Sequence, residues 1–104
     1  MRKINLSEFK VTVRGADLVE KEVSYDLKGS IVEMLFNPGL KLNNITLLKQ
    51  DDLAKKVVAA DKELMVEEEE YERLKSSLES LTGLGKNDIK FVKRIMEAET
   101  VEVK

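Results

Sequence analysis

Cysteine, histidine and tryptophan are all missing from this chain of 104 residues. Each absence closes off some chemistry. Without cysteine there is no disulfide framework and no thiolate nucleophile. Without histidine, the commonest general base and the commonest metal ligand are gone. Ser-His-Asp and Cys-His sites are therefore impossible, as are zinc sites of the Cys/His type. Aromatics are scarce too, with three Phe and two Tyr, so Leu, Val, Ile and Met must fill the core. No apolar stretch approaches the ~20 residues of a membrane span. Met1 leads into Arg2-Lys3-Ile4-Asn5 without the apolar run of a secretory signal. These absences predict a soluble, intracellular protein that is not an enzyme and carries no cofactor.

What is present is charge and aliphatic surface. Charged residues make up 37% of the chain and hydrophobic ones 42%, the former well above the usual quarter. The charges nearly cancel, at −2 overall. Residues 1–62 hold 11 basic and 9 acidic side chains, and residues 63–104 hold 7 and 11. That is not the clearly basic balance of a general nucleic-acid binder.

The length suits one domain over residues 1–104, with a β-hairpin in 1–27 and a helical body in 28–104. Phe9, Val11 and Val13 alternate with Lys10, Thr12 and Arg14, the period of a half-buried strand. Arg14-Gly15-Ala16-Asp17 supplies a turn, and Val19, Val23 and Tyr25 return. Ser30 and Glu33 form an S-x-x-E capping box ahead of Ile31, Met34 and Leu35; Asp26 offers an earlier cap, with a glycine then inside the helix. Asn37-Pro38-Gly39 ends that element.

From Leu40 to Leu48 the apolar residues fit neither period, and Asn43-Asn44 reads as a turn. A helix follows over about Leu48–Ala60, with Leu53, Val57 and Ala60 on one stripe. Leu64-Met65-Val66 reads as a short strand. Helical spacing returns in Tyr71, Leu74, Leu78 and Leu81, and Gly83 and Gly85 stop it. Asn87 can cap a last helix with Ile89, Val92, Ile95 and Met96 inward. Thr100-Val101-Glu102-Val103 alternates again and can pair beside Leu64–Val66. The fold class expected is α+β: an N-terminal antiparallel hairpin, then three to four helices and a short C-terminal strand.

Three features carry possible chemistry. Glu67, Glu68, Glu69, Glu70 and Glu72 can place carboxylates together at helical spacing and could hold Mg²⁺ or Ca²⁺. They also sit where a helix begins, and acidic side chains there face the positive end of the macrodipole. Gly83-Leu84-Gly85-Lys86-Asn87 lacks the spacing of a phosphate loop and joins two helices, so a stop, a turn and a cap explain it. Lys86, Lys90, Lys93 and Arg94 form a basic stripe along the last helix. It can meet DNA phosphates, an acidic protein partner such as the Glu-rich segment of another copy, or water alone.

The aliphatic excess matters more. Leu40, Leu42, Ile45 and Leu47, with Leu48, Leu64, Met65 and Val66, add to stripes that already fill a small core. They either pack under the central connection or lie exposed for an oligomer to bury. The expected interaction residues are therefore Leu40, Leu42, Ile45, Leu47, Lys86, Lys90, Lys93 and Arg94.

Four stretches carry a resemblance: Leu53-Ala54-Lys55-Lys56-Val57, Glu70-Tyr71-Glu72-Arg73-Leu74-Lys75, Gly83-Leu84-Gly85-Lys86-Asn87-Asp88, and Arg94-Ile95-Met96-Glu97-Ala98 with Val101-Glu102-Val103. Together, over roughly residues 48–104, they resemble small proteins encoded by tailed bacteriophages and prophages. The resemblance implies a bacterial cytoplasm, or a virion assembled there, and transfers no functional residues. The expected function is non-catalytic protein–protein binding, to a phage or host protein and to further copies of itself. Virion assembly, as a head–tail joining subunit or tail chaperone, and DNA-linked regulation through the last helix are the alternatives. No metal, cofactor or membrane enters any of these.

Overall fold

A computed structural model describes residues 1–16 and 18–101. In chain order the elements are β1 (Arg2–Asn5), β2 (Lys10–Arg14), β3 (Glu20–Ser24), α1 (Leu27–Leu35), α2 (Asn44–Ala59), β4 (Glu63–Val66), α3 (Glu68–Glu79), α4 (Ile89–Met96) and β5 (Glu99–Thr100). Single 3₁₀ turns occupy Pro38–Leu40 and Lys86–Asp88. The chain is α+β: the described residues form four helices and two small antiparallel sheets, one of them the N-terminal hairpin β2–β3.

The three-stranded sheet has β1 at its centre, with β4 on one side and β5 on the other. Ile4 pairs with Leu64 and Arg2 with Val66, so these four side chains share one face. Ile4, Leu64 and Val66 are buried there among Ile31, Leu35, Leu53, Val57, Leu74 and Ile95. Arg2 lies over the Tyr71 ring at 4.7 Å and bonds Glu68 at 3.0 Å. The sequence pattern does not announce β1, because a four-residue strand with a single buried side chain shows no repeat. β5 lies beside β1 rather than beside Leu64–Val66 as expected: β1 already occupies the partner edge of β4. Glu102 and Val103, read into the same strand, fall outside the described residues, as does Asp17 in the hairpin turn.

Helix starts differ from expectation where a better cap lies nearby. Asp26, not Ser30, caps α1, its carboxylate accepting the Gly29 N–H at 3.0 Å. The glycine inside the helix suits that cap: a Cβ at position 29 would stand 2.1 Å from Asp26 Oδ2. Asn43-Asn44 is a helix start rather than a turn. Asn43 Oδ1 accepts the Thr46 N–H and Thr46 Oγ1 accepts the Asn43 N–H, both at 2.9 Å. This reciprocal cap carries α2 a full turn earlier than Leu48. α3 stops at Glu79, ahead of both glycines, and Gly83 takes the positive φ of the loop, +74°.

On α4, Phe91 and Ile95 are buried and Val92 half-buried, whereas Ile89 and Met96 are exposed. Asn87 is not its cap: the Asn87 side-chain amide donates to the Thr12 carbonyl at 2.9 Å, tying the loop to the hairpin. Asp88 instead accepts the Gly85 N–H at 2.8 Å and the Tyr25 hydroxyl at 2.6 Å. Tyr25 stacks on Phe9 with centroids 4.9 Å apart, which anchors the base of the hairpin. Beyond that base the hairpin is an arm. Every residue of β3 is exposed, and of β2 only Val11 is half-buried. A radius of gyration of 14.8 Å fits such a projection, since a compact chain of ~100 residues measures ~13 Å.

Candidate interaction surfaces

The central connection divides the expected apolar residues. Leu64 and Val66 go to the core and Met65 is half-buried; Leu40 and Leu42 are half-buried on the turn before α2. Ile45, Leu47 and Leu48 are exposed on the first turns of α2. They do not form one patch. The buried stripe of α2 is Gln50, Leu53, Ala54 and Val57; at 100° per residue, Leu47 borders that stripe while Ile45 and Leu48 point well away from it.

Leu47 belongs to a line continued by Asp51, Ala54 and Val58, spaced three and four apart. That line flanks a groove between α1 and α2 of about 350 Å³, lined by Val32, Phe36, Asp51, Ala54, Lys55, Val58 and Ala59. Val58 is 63% exposed and Phe36 36%. Among the described residues Asp51 is the one acid lining the groove, and its Oδ2 bonds Lys55, which lines it too, at 3.0 Å. Reading the chain by its core stripes passes over this groove, because Val32, Phe36 and Val58 sit just off them. An apolar residue one step outside a satisfied stripe is the signal that could have found it.

The hairpin arm carries the second apolar surface. Val11 pairs with Val23 and Val13 with Lys21, so these side chains point to one side. Lys10, Ser24, Thr12, Glu22, Arg14 and Glu20 pair among themselves on the other. The arm is thus amphipathic, with Val13, Val23 and the tip residue Leu18 at 37%, 40% and 75% exposure.

The basic stripe is split by its surroundings. Arg94 is structural: Nη1 donates to the Asn5 carbonyl at 2.8 Å, and the guanidinium lies 5.3 Å from the Phe9 centroid. Lys90 approaches the same ring at 5.6 Å. Lys93 is exposed, and Lys86, on its 3₁₀ turn, lines a separate depression with Lys90, Lys10 and Glu20. Lys90, Lys93 and Arg94 line a groove of about 720 Å³ with Lys3 and Lys62, but Glu63, Glu97 and Glu99 line it too. Lys3 bonds Glu99 at 3.3 Å and Glu63 at 3.8 Å, and its pKa is raised by the Glu99 hydrogen bond and by both charges.

Three of the five glutamates in the acidic run are paired where they stand. Glu68 meets Arg2, Glu69 meets Arg73 and Lys49, and Glu70 meets Lys56. Partial burial pushes the Glu70 carboxyl up, but the Glu67 N–H and the Lys56 ammonium outweigh it and hold the pKa below its ordinary value. Among the described residues no group of three or more acidic side chains is placed to hold a metal ion, and no helix is long and apolar enough to cross a membrane. Compared with known proteins, the chain matches no family model, no curated protein and no solved structure.

Proposed function

We propose that this chain is a non-catalytic binding protein of the phage and prophage type, which associates with itself and engages a phage or host protein in the bacterial cytoplasm. One observation carries the proposal: large aliphatic side chains stand exposed in two organised surfaces, the valine side of the hairpin and the α1–α2 groove. Scattered exposed aliphatics need no explanation, whereas patterned ones point to contact. Sedimentation at tens of micromolar tests self-association, which a strict monomer would refute. Capture from bacterial lysate, followed by a binding measurement with the purified candidate, tests the further partner. In the virion-assembly form of the proposal that partner is a capsid or tail protein.

Nucleic-acid binding is the second reading, favoured by the Lys62, Lys90, Lys93 and Arg94 side of the larger groove. Its interleaved glutamates oppose phosphate. Replacing Lys90 and Lys93 by Glu should abolish DNA retention at low salt if the groove binds it, and no retention by the parent protein ends this reading. Calorimetry with Mg²⁺, Mn²⁺ and Ca²⁺ tests the non-catalytic part, since only carboxylates could support a metal-dependent reaction here; saturable binding near Glu67–Glu72 would count against it.

A further inference from the structure

Resting on the self-association proposed above, we infer that the contact runs head to tail: the valine side of the β2–β3 arm of one copy seats in the α1–α2 groove of the next. The arm is apolar along one side, and the groove is lined mostly by apolar side chains; a single kind of contact covers both. Charge agrees with the fit. Lys21 is the one ion on the valine side of β2–β3, and among the described residues the groove is lined by one acid, Asp51, beside one base, Lys55. Lys55 engages Asp51 through Oδ2, which leaves Oδ1 able to accept from the arriving ammonium.

Two other modes of pairing fit less well. Strand addition between two β3 edges about a two-fold axis, pairing all five residues with the valine sides kept together, sets Glu22 against Glu22. Like charges directly opposite are destabilising, and charged edge strands resist such addition. Docking of the acidic start of α3 on the basic groove would set its glutamates against Glu63, Glu97 and Glu99, which line that groove among its lysines.

Area sets the expected strength. The exposed parts of Val13, Leu18, Val23, Leu47, Phe36 and Val58 amount to roughly 600 Å² of apolar surface per contact, so the whole contact lies near the ~1,000 Å² threshold of a weak interface. A lone dimer would then be marginal. A head-to-tail contact repeats, giving a ring if the rotation between copies closes and a filament if it does not. In a closed ring every copy buries both surfaces.

Two variants and their mixture test this. Val13→Glu places a carboxylate opposite Lys21, which preserves the hairpin while charging the arm. Val58→Glu charges the groove at an exposed helical position. Each alone should weaken assembly at least ~10-fold, as read by sedimentation, with the circular dichroism of the parent. Mixed in equal amounts and concentrated far enough to populate a single weak contact, they should form a 1:1 dimer that grows no further, because the first keeps its groove and the second keeps its arm. If Val13→Glu blocks assembly and Val58→Glu does not, the contact joins arm to arm and the inference is wrong. If neither has an effect, or the mixture stays monomeric, it is also wrong, although the parent's self-association still stands. A parent that is itself monomeric overturns both.

Discussion

Gln50 is the buried polar side chain on which the packing of three helices turns, and Gln50→Glu should make the protein's stability depend on pH. The residue is 3% exposed within the apolar stripe of α2. Its Nε2 donates to the Leu35 carbonyl at 2.9 Å and to Ser77 Oγ at 3.0 Å. Leu35 ends α1, where the last carbonyls have no helical N–H to receive, and this bond orients the amide. Ser77 in turn donates to the Arg73 carbonyl at 2.7 Å. Gln50 Oε1 is buried with no hydrogen-bond partner among the described residues.

A glutamate side chain has nearly the same shape but lacks the donor when ionised, and the Leu35 carbonyl oxygen would face a carboxylate. Burial raises a carboxyl pKa by several units in such surroundings. A raise of two to three units, at 1.36 kcal/mol each, costs about 3 to 4 kcal/mol at pH 7. That is a large share of the ~5–15 kcal/mol a domain possesses. The sign follows from linkage. With the folded pKa above the unfolded ~4.3, the variant is least impaired below pH ~4, where the protonated carboxyl can donate to Leu35. The loss grows as pH rises from there to the folded pKa, then levels off. Urea unfolding of variant and parent at pH 4, 5.5 and 7 reads this as a widening gap with an unchanged m-value. Gln50→Met is the control: it removes the unpartnered Oε1 but leaves the Leu35 carbonyl unpartnered in its place, so stability should move by less than ~1 kcal/mol. A Gln50→Glu loss that is the same at all three pH values, or absent at pH 7, refutes the reasoning.

Other outcomes follow from the caps, the hairpin base and the core. Tyr25→Phe should lose about 1 kcal/mol at neutral pH through the lost bond to Asp88, and NMR titration should find the Asp88 carboxyl, now held low by the Tyr25 hydroxyl and the Gly85 N–H, closer to its ordinary value. In the parent, the stability tied to Asp88 is present above its unfolded pKa and fades as pH falls through the lowered folded one; the variant should lose less on acidification. Burial and the Asp88 hydrogen bond push the Tyr25 phenol up to about 12, so the parent alone should lose a further share as pH rises from about 10 towards that value. Asn43→Ala should cost about 1 kcal/mol and speed amide exchange at residues 44–47 ahead of the rest of α2. Leu74→Ala, at a position with no exposed surface, should cost 2–5 kcal/mol by the lost burial and the cavity left behind, with ~10% error on extrapolation from urea.

The hairpin and α3 were legible because their signals are local, whereas on α4 the same spacing selects Ile89 and Met96, which are exposed, over the buried Phe91. Val11, Val13 and Val23 alternate in sequence as they do in the pleat, and Tyr71, Leu74 and Leu78 keep the helical spacing they show in the core. Boundaries were less legible because several caps compete within one turn. Asp26 prevails over Ser30, and Asn43 turns an apparent loop into the start of α2. β1 stayed hidden for a different reason. Its place depends on residues about 60 and about 97 positions away, through Leu64–Val66 and Thr100, and no window along the chain contains those partners.

The surfaces were partly legible, and the part that was not concerns what charge does once neighbours arrive. Lys86, Lys90, Lys93 and Arg94 have the spacing of a binding stripe, yet Arg94 holds the Asn5 carbonyl and covers Phe9, and Lys90 leans on the same ring. Their sequence spacing is identical whether the target is a phosphate or the protein's own loop. Likewise Glu68, Glu69 and Glu70 look like a concentrated negative charge until Arg2 from β1, Lys49 and Lys56 from α2, and Arg73 from the next turn of α3 come to them. Aliphatic side chains behave differently, because no neighbour can neutralise an exposed valine; it is either covered or it is not. Val58 on α2 and Val13 on the arm remain uncovered after every element has packed. The contact surfaces are therefore better sought in the few apolar residues left outside the core than in the many charges around it.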